Sequence, residues 1–93
     1  MIRVVWTEPA LAQLEAIRVY IQQFNPKAAR ALADSLIAAG NLLAQFPLRG
    51  RAVPASDLRE LVTTHPYIIR YRIDGDEVVI LRLRHTSRRP TDP

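Results

Sequence analysis

Tyr67-Ile68-Ile69-Arg70-Tyr71-Arg72-Ile73-Asp74-Gly75-Asp76-Glu77-Val78-Val79-Ile80-Leu81-Arg82-Leu83-Arg84-His85 reads as two strands that reverse at Asp74-Gly75-Asp76-Glu77. In the first strand Tyr67, Ile69, Tyr71 and Ile73 share one face, and Ile68, Arg70 and Arg72 the other. In the second, strict alternation puts Val79, Leu81, Leu83 and His85 together, and Val78, Ile80, Arg82 and Arg84 together. Matching apolar face to apolar face then requires a hairpin loop with an odd number of residues; an even loop would set Ile69 opposite Arg82. The expectation is therefore an odd loop. One face packs on helices, and the other carries Arg70, Arg72, Arg82 and Arg84, joined by Arg59 from a preceding strand, Leu58–Val62. Like charges on adjacent strands repel. Either an anionic partner covers this face, or it is solvated and relieved by Glu60 and neighbouring acids. Ile68, Val78 and Ile80 would make it mixed apolar and basic, which suits a partner peptide as well as a nucleic acid.

Upstream the period changes from two to that of a helix. Ile2-Arg3-Val4-Val5-Trp6 reads as a short strand. Thr7 or Glu8 caps a first helix with Pro9 in its first turn, and Leu11, Leu14, Ile17, Ile21 and Phe24 form its apolar stripe. Asn25-Pro26 restarts the chain as a second helix running to about Gln45, with Ala29, Leu32, Leu36, Ala39, Leu43 and Phe46 inward. So short a connection makes the pair an antiparallel hairpin. Residues 47–57, with two prolines and a glycine, read as a loop. The fold class expected is α+β: an N-terminal strand, a helical hairpin, then a three-stranded antiparallel meander in one small sheet. Residues 1–93 form one domain, with 86–93 set apart as a candidate flexible tail.

Composition narrows the functions available. The chain of 93 residues is 48% hydrophobic and 24% charged, ordinary values for a folded domain. It lacks the roughly 20-residue apolar run of a membrane helix, and its start does not read as a signal peptide. A soluble, cytoplasmic protein without a membrane partner is expected. With no cysteine there is neither disulfide nor thiolate chemistry, and two histidines, His65 and His85, do not suggest a metal site. No metal or cofactor is expected. The net charge is +4, and only Lys27 among the basic residues is not arginine. Residues 47–93 hold nine of the thirteen basic groups, which points to structured anionic partners.

His85 ends the last strand and leads into Thr86-Ser87-Arg88-Arg89-Pro90. Neighbouring arginines would favour its neutral form, as a general base or contact residue; a strand-ending histidine bonded to backbone is the plainer alternative. Ser35, Ser56 and Ser87 have no base at motif spacing, and no phosphate loop or carboxylate pair is present.

Five words in order, Asn25-Pro26-Lys27-Ala28-Ala29, Leu43–Arg51, Arg59-Glu60-Leu61-Val62, Pro66–Ile73 and Val79–His85, resemble the RelE/ParE toxin superfamily of bacterial type II toxin–antitoxin systems. The resemblance spans residues 2–89. It implies the same α+β fold and a cognate, ParD-like antitoxin through which alone operator DNA is bound. It also implies one of two activities. RelE-like members are ribosome-dependent mRNA endonucleases, for which Arg59, Arg82, Arg84 and His85 would be the catalytic candidates. ParE-like members, associated with plasmid stabilization, inhibit DNA gyrase and arrest growth without catalysis. Leu61 and Tyr67 stand where RelE-like enzymes carry basic residues, and no tyrosine follows His85. The His85-Thr86-Ser87-Arg88 ending is similar to the ParE branch. On that reading Arg59, Arg70, Arg72, Arg82, Arg84, His85, Arg88 and Arg89 contact target or antitoxin.

Overall fold

The computed structural model describes residues 2–63 and 66–86. The described chain forms β1 (Arg3–Trp6), α1 (Glu8–Gln22), α2 (Pro26–Asn41), β2 (Arg51–Ala52), β3 (Leu58–Val62), β4 (Tyr67–Asp74) and β5 (Glu77–His85). Both helices start where local chemistry dictates. The Thr7 side chain accepts from the Ala10 amide and that of Asn25 from the Ala28 amide, each followed closely by proline. The second helix ends earlier than its apolar pattern suggests. It stops at Asn41, whose side chain accepts from the Trp6 indole at 3.0 Å, and a 3-10 turn over Leu42–Ala44 completes the descent to Pro47.

The sheet has five strands in the order β1-β5-β4-β3-β2. The N-terminal strand runs parallel to β5, and the remaining pairs are antiparallel. The meander is therefore extended at both edges, because two residues of the expected loop, Arg51 and Ala52, pair with Glu60 and Arg59.

The hairpin corrects the odd-loop expectation. Asp74 pairs with Glu77, so the loop is the two residues Gly75 and Asp76, with Gly75 at a φ of 60°. Parity is repaired instead within β5. The register shifts between Arg70 and Tyr71, which pair with Arg82 and Ile80, leaving Leu81 as the extra residue of a β-bulge. Val78 and Ile80, expected beside the arginines, consequently face the helices and are fully buried, whereas Val79 faces away. The bulge is anchored by Thr7: its amide donates to the Ile80 carbonyl at 3.1 Å, and its hydroxyl reaches the same carbonyl at 2.8 Å.

The core lies between the helices and one sheet face. Ala10, Leu14, Ala33 and Leu36 meet Leu61, Ile69, Tyr71, Val78, Ile80 and Leu83. Gly40 lets α2 approach closely: a Cβ there would lie 2.8 Å from Ile80 Cδ1 and nearer still to the Trp6 ring. Leu11, Phe24 and Phe46, expected inward, are 49%, 72% and 55% exposed.

Candidate functional site

The register fixes what the other sheet face presents. Val5, Val79, Arg72 and Leu58 form one row across β1, β5, β4 and β3; Arg82, Arg70, Glu60 and Arg51 form the next; Arg84, Ile68 and Val62 form the third. Four of the five arginines expected there are present: Arg70, Arg72, Arg82 and Arg84.

The fifth is not. Arg59 pairs with Tyr71, whose ring is in the core, so its side chain leaves the sheet on the helical side. There its guanidinium donates to the Gly50 carbonyl at 2.7 Å. Leu58 and Leu61 put apolar residues on both parities of this short strand, and charge pattern alone assigned it to the wrong one. Arg59 holds the loop that precedes β2.

At the centre of the arginine face sits Glu60, 5% exposed. Its Oε2 accepts from Arg70 Nε at 3.0 Å and Nη2 at 2.6 Å, and from Arg84 Nη2 at 3.3 Å. Arg51 approaches the other oxygen at 3.7 Å. Burial alone would raise the carboxyl's pKa, but the forks of Arg70 and Arg84 reverse this and hold it below the usual carboxylate range. Glu60 thus offsets part of the repulsion among Arg70, Arg84 and Arg51, one buried carboxylate meeting three guanidinium groups. Among the described residues Arg72 and Arg82 have no such ion pair; Arg82 is exposed and Arg72 half-buried. Arg72 lies between Val79 and Leu58 in its row, and Arg82 beside Arg70 in the next.

His85 faces the opposite way. It pairs with Tyr67, and their rings meet edge to face at 5.4 Å. Together with Gln13, Ile17, Tyr20 and Leu83 they line a cleft between α1 and the end of the sheet. The Gln13 side chain accepts from the Leu83 amide at 2.8 Å, satisfying a β5 donor beyond the reach of β1. Arg88 and Arg89 lie outside the described residues. The four catalytic candidates therefore do not converge: Arg59 binds a loop carbonyl on the helical side, Arg82 and Arg84 project from the far side, and His85 sits at the helical rim.

Tyr71 is a contributor that alternation marked only as core. Its buried hydroxyl donates to the Pro47 carbonyl at 2.7 Å and accepts from the Gly50 amide at 2.9 Å. Burial pushes the phenol above its ordinary pKa, against the pull of the Gly50 amide and the Arg59 charge, so it remains a donor at neutral pH. The signal available was a tyrosine at a fully buried strand position, which demands a polar partner.

Residues 4–90 match the family model described as ParE toxin of type II toxin-antitoxin system, parDE. The chain is 51% identical over 88 residues to Toxin RelE2 of Caulobacter vibrioides, covering 95% of this chain and 99% of that protein. It is 32% identical over 83 residues to Toxin RelE3 of the same organism, covering 86% and 89%. Among solved structures it superposes on a chain of the chromosomal ParDE TA system from P. aeruginosa with a TM-score of 0.83. That match has 24% identity and covers 94% of this chain and 98% of the other.

Proposed function

Because the chain belongs to the ParE toxin family of type II toxin–antitoxin systems, we propose that it is a growth-arresting toxin that acts on DNA gyrase by binding and is neutralised by its cognate antitoxin. The observation that carries this reading is the dispersal of Arg59, Arg82, Arg84 and His85 over both faces of the sheet. Cleavage by a ribose 2′-hydroxyl needs a base, an acid and a charge stabiliser within hydrogen-bond reach of one phosphate. Arg59 and His85 cannot meet Arg84 around such a group without refolding the sheet. A face that engages protein needs no such convergence. Arg72 and Arg82, with Val79 and Val5 beside them on β5 and β1, supply the charged anchors and apolar contact of a protein interface.

The alternative, a ribosome-dependent mRNA endonuclease in the cytoplasm, is favoured by the RelE names of the relatives. The two readings separate in vitro. Toxin freed of antitoxin is titrated into a gyrase supercoiling reaction and, separately, into translating ribosomes. Linear plasmid that appears only with gyrase, with transcripts left intact, is the expected result. Cut transcripts that His85→Ala abolishes, with gyrase unaffected, would overturn the proposal.

A further inference from the structure

We propose that a second copy of this chain docks along the outer stripe of α1, with the two helices antiparallel about a twofold axis at Tyr20. The contact belongs to the toxin alone and is independent of its target. At 3.6 residues per turn Ala12, Ala16, Val19, Tyr20 and Gln23 fall on one side of α1 and its C-cap, and all five are exposed. A surface helix ordinarily keeps its charges on such a side. Here, after Glu8 in the first turn, the charges of α1 are Glu15 and Arg18, which pair with each other on the flank that faces α2. Val19 and Tyr20 are instead 45% and 63% exposed. Phe24, just past the helix end, stands out in solvent with its ring edge-on to that of Tyr20 at 5.4 Å. Isolated exposed apolar residues are ordinary; three large ones close together mark an interaction surface.

Charge and shape identify the occupant. Five arginines on the outer sheet face, Arg51, Arg70, Arg72, Arg82 and Arg84, stand against Glu60 and carry the whole formal net charge of +4. The rest of the chain, α1 included, is balanced. Among the described residues no carboxylate, lysine or arginine lines the cleft beside the stripe, which Gln13, Ala16, Tyr20, Tyr67 and His85 help to form. A nucleic acid or an acidic segment finds no counter-charge there, whereas a second copy meets no like charge. A twofold contact is also isologous, so one surface must hold both a projection and the recess that receives it. Phe24 is the projection, and the cleft, of about 510 Å³, opens beside Ala16 and Tyr20 on the same helix. Phe24 and Ala16 lie four residues to either side of Tyr20. With the axis at Tyr20, antiparallel helices therefore set Phe24 of each copy level with Ala16 of the other. Each Phe24 ring then enters the other copy's cleft, the two Tyr20 rings meet at the axis, and both arginine faces stay outside.

The test is sedimentation velocity of the purified toxin, freed of antitoxin, over a concentration series reaching about 100 μM, high enough to populate a dimer held by a small patch. The parent is expected to pass from monomer to dimer across the series. Tyr20→Asp sets two carboxylates together at the axis and should weaken the dimer about 100-fold, and Phe24→Ser about 10-fold. Circular dichroism confirms that each variant is folded. Tyr20→Lys alone should be monomeric as well. An equimolar mixture of Tyr20→Asp and Tyr20→Lys should recover the dimer, because opposite charges then meet at the axis; damage to the fold would not be rescued in this way. A parent that stays monomeric to the top of the series overturns the proposal. So does a dimer that the folded Tyr20→Asp variant leaves intact, or one that the mixture fails to restore. A monomeric parent whose folded Tyr20→Asp variant no longer arrests growth would assign the stripe to the target and overturn it equally.

Discussion

The Tyr71 hydroxyl and the Gly50 amide, 21 residues apart in the chain, meet at 2.9 Å inside the protein. Tyr71 is fully buried in the central strand, so the shape of an exposed loop is set from the core. Gly50 is required there because a Cβ would stand 2.7 Å from the phenol oxygen.

Tyr71→Phe keeps the ring and orphans the Pro47 carbonyl and Gly50 amide. Leaving buried partners unsatisfied costs about 1–3 kcal/mol, which urea denaturation will read as a lower midpoint at unchanged slope.

Gly40→Ala is expected to destabilise even though alanine is the better helix former. The propensity gain is about 1 kcal/mol, whereas overpacking a close interface costs about 1–3 kcal/mol. The new methyl would push on Trp6 and Ile80. Trp6 is the only tryptophan, so its fluorescence will report both the displacement and the lower Tm.

Glu60 makes stability depend on acid. Its folded pKa lies below the ordinary value of about 4.3, so its contribution is complete above that pH and is lost as pH falls through the lower folded value. Glu60→Gln leaves Arg70 and Arg84 without their shared counter-charge and should cost about 3 kcal/mol at pH 7, the low end for a broken buried pair. Below about pH 4.3 the variant should lose stability less steeply than the parent, and the two curves should approach. Parallel curves through that range would disprove the linkage.

Arg82→Glu and Arg84→Glu, two residues apart on one face, should behave differently. Arg82 is exposed and outside the Glu60 cluster, so its reversal should change stability by no more than about 0.5 kcal/mol while weakening partner binding. The Arg84 side chain is 14% exposed and engages Glu60, so reversal sets two carboxylates together in the cluster. Thermal unfolding should show a clear loss of stability for Arg84→Glu and almost none for Arg82→Glu.

What the sequence made legible was what neighbours along the chain decide. The cap at Asn25 and the outward placing of Arg70 and Arg72 depend on a few adjacent residues and stand as read, and of the two caps left open for α1, Thr7 and Glu8, the structure has Thr7. What escaped depends on distant meetings. The bulge at Leu81 is anchored by Thr7, which reaches β5 from the other end of the chain, and alternation counted back from Leu83 therefore put Val78 and Ile80 on the wrong side. Arg59 was misplaced for a similar reason. Its partners are loop carbonyls of Gly50 and Leu48, which no pattern within β3 announces. Glu60 was legible as a relieving charge but not as a hub, because nothing in a linear reading brings Arg51, Arg70 and Arg84 to one carboxylate.

The extra residue at Leu81 also sets how this chain can change over generations. Leu81 is opposed by no residue of its own on β4, so loss of its codon would leave Ile80 and Arg82 beside Tyr71 and Arg70 in a regular ladder with every other side chain on its present face. A codon added elsewhere in β5 has no such outlet: it would turn Arg82 and Arg84 toward the core, or Val78 and Ile80 out of it. The final strand can therefore shorten by one residue at its bulge more readily than it can lengthen, while Val78, Ile80 and Leu83 stay held to apolar side chains by the core.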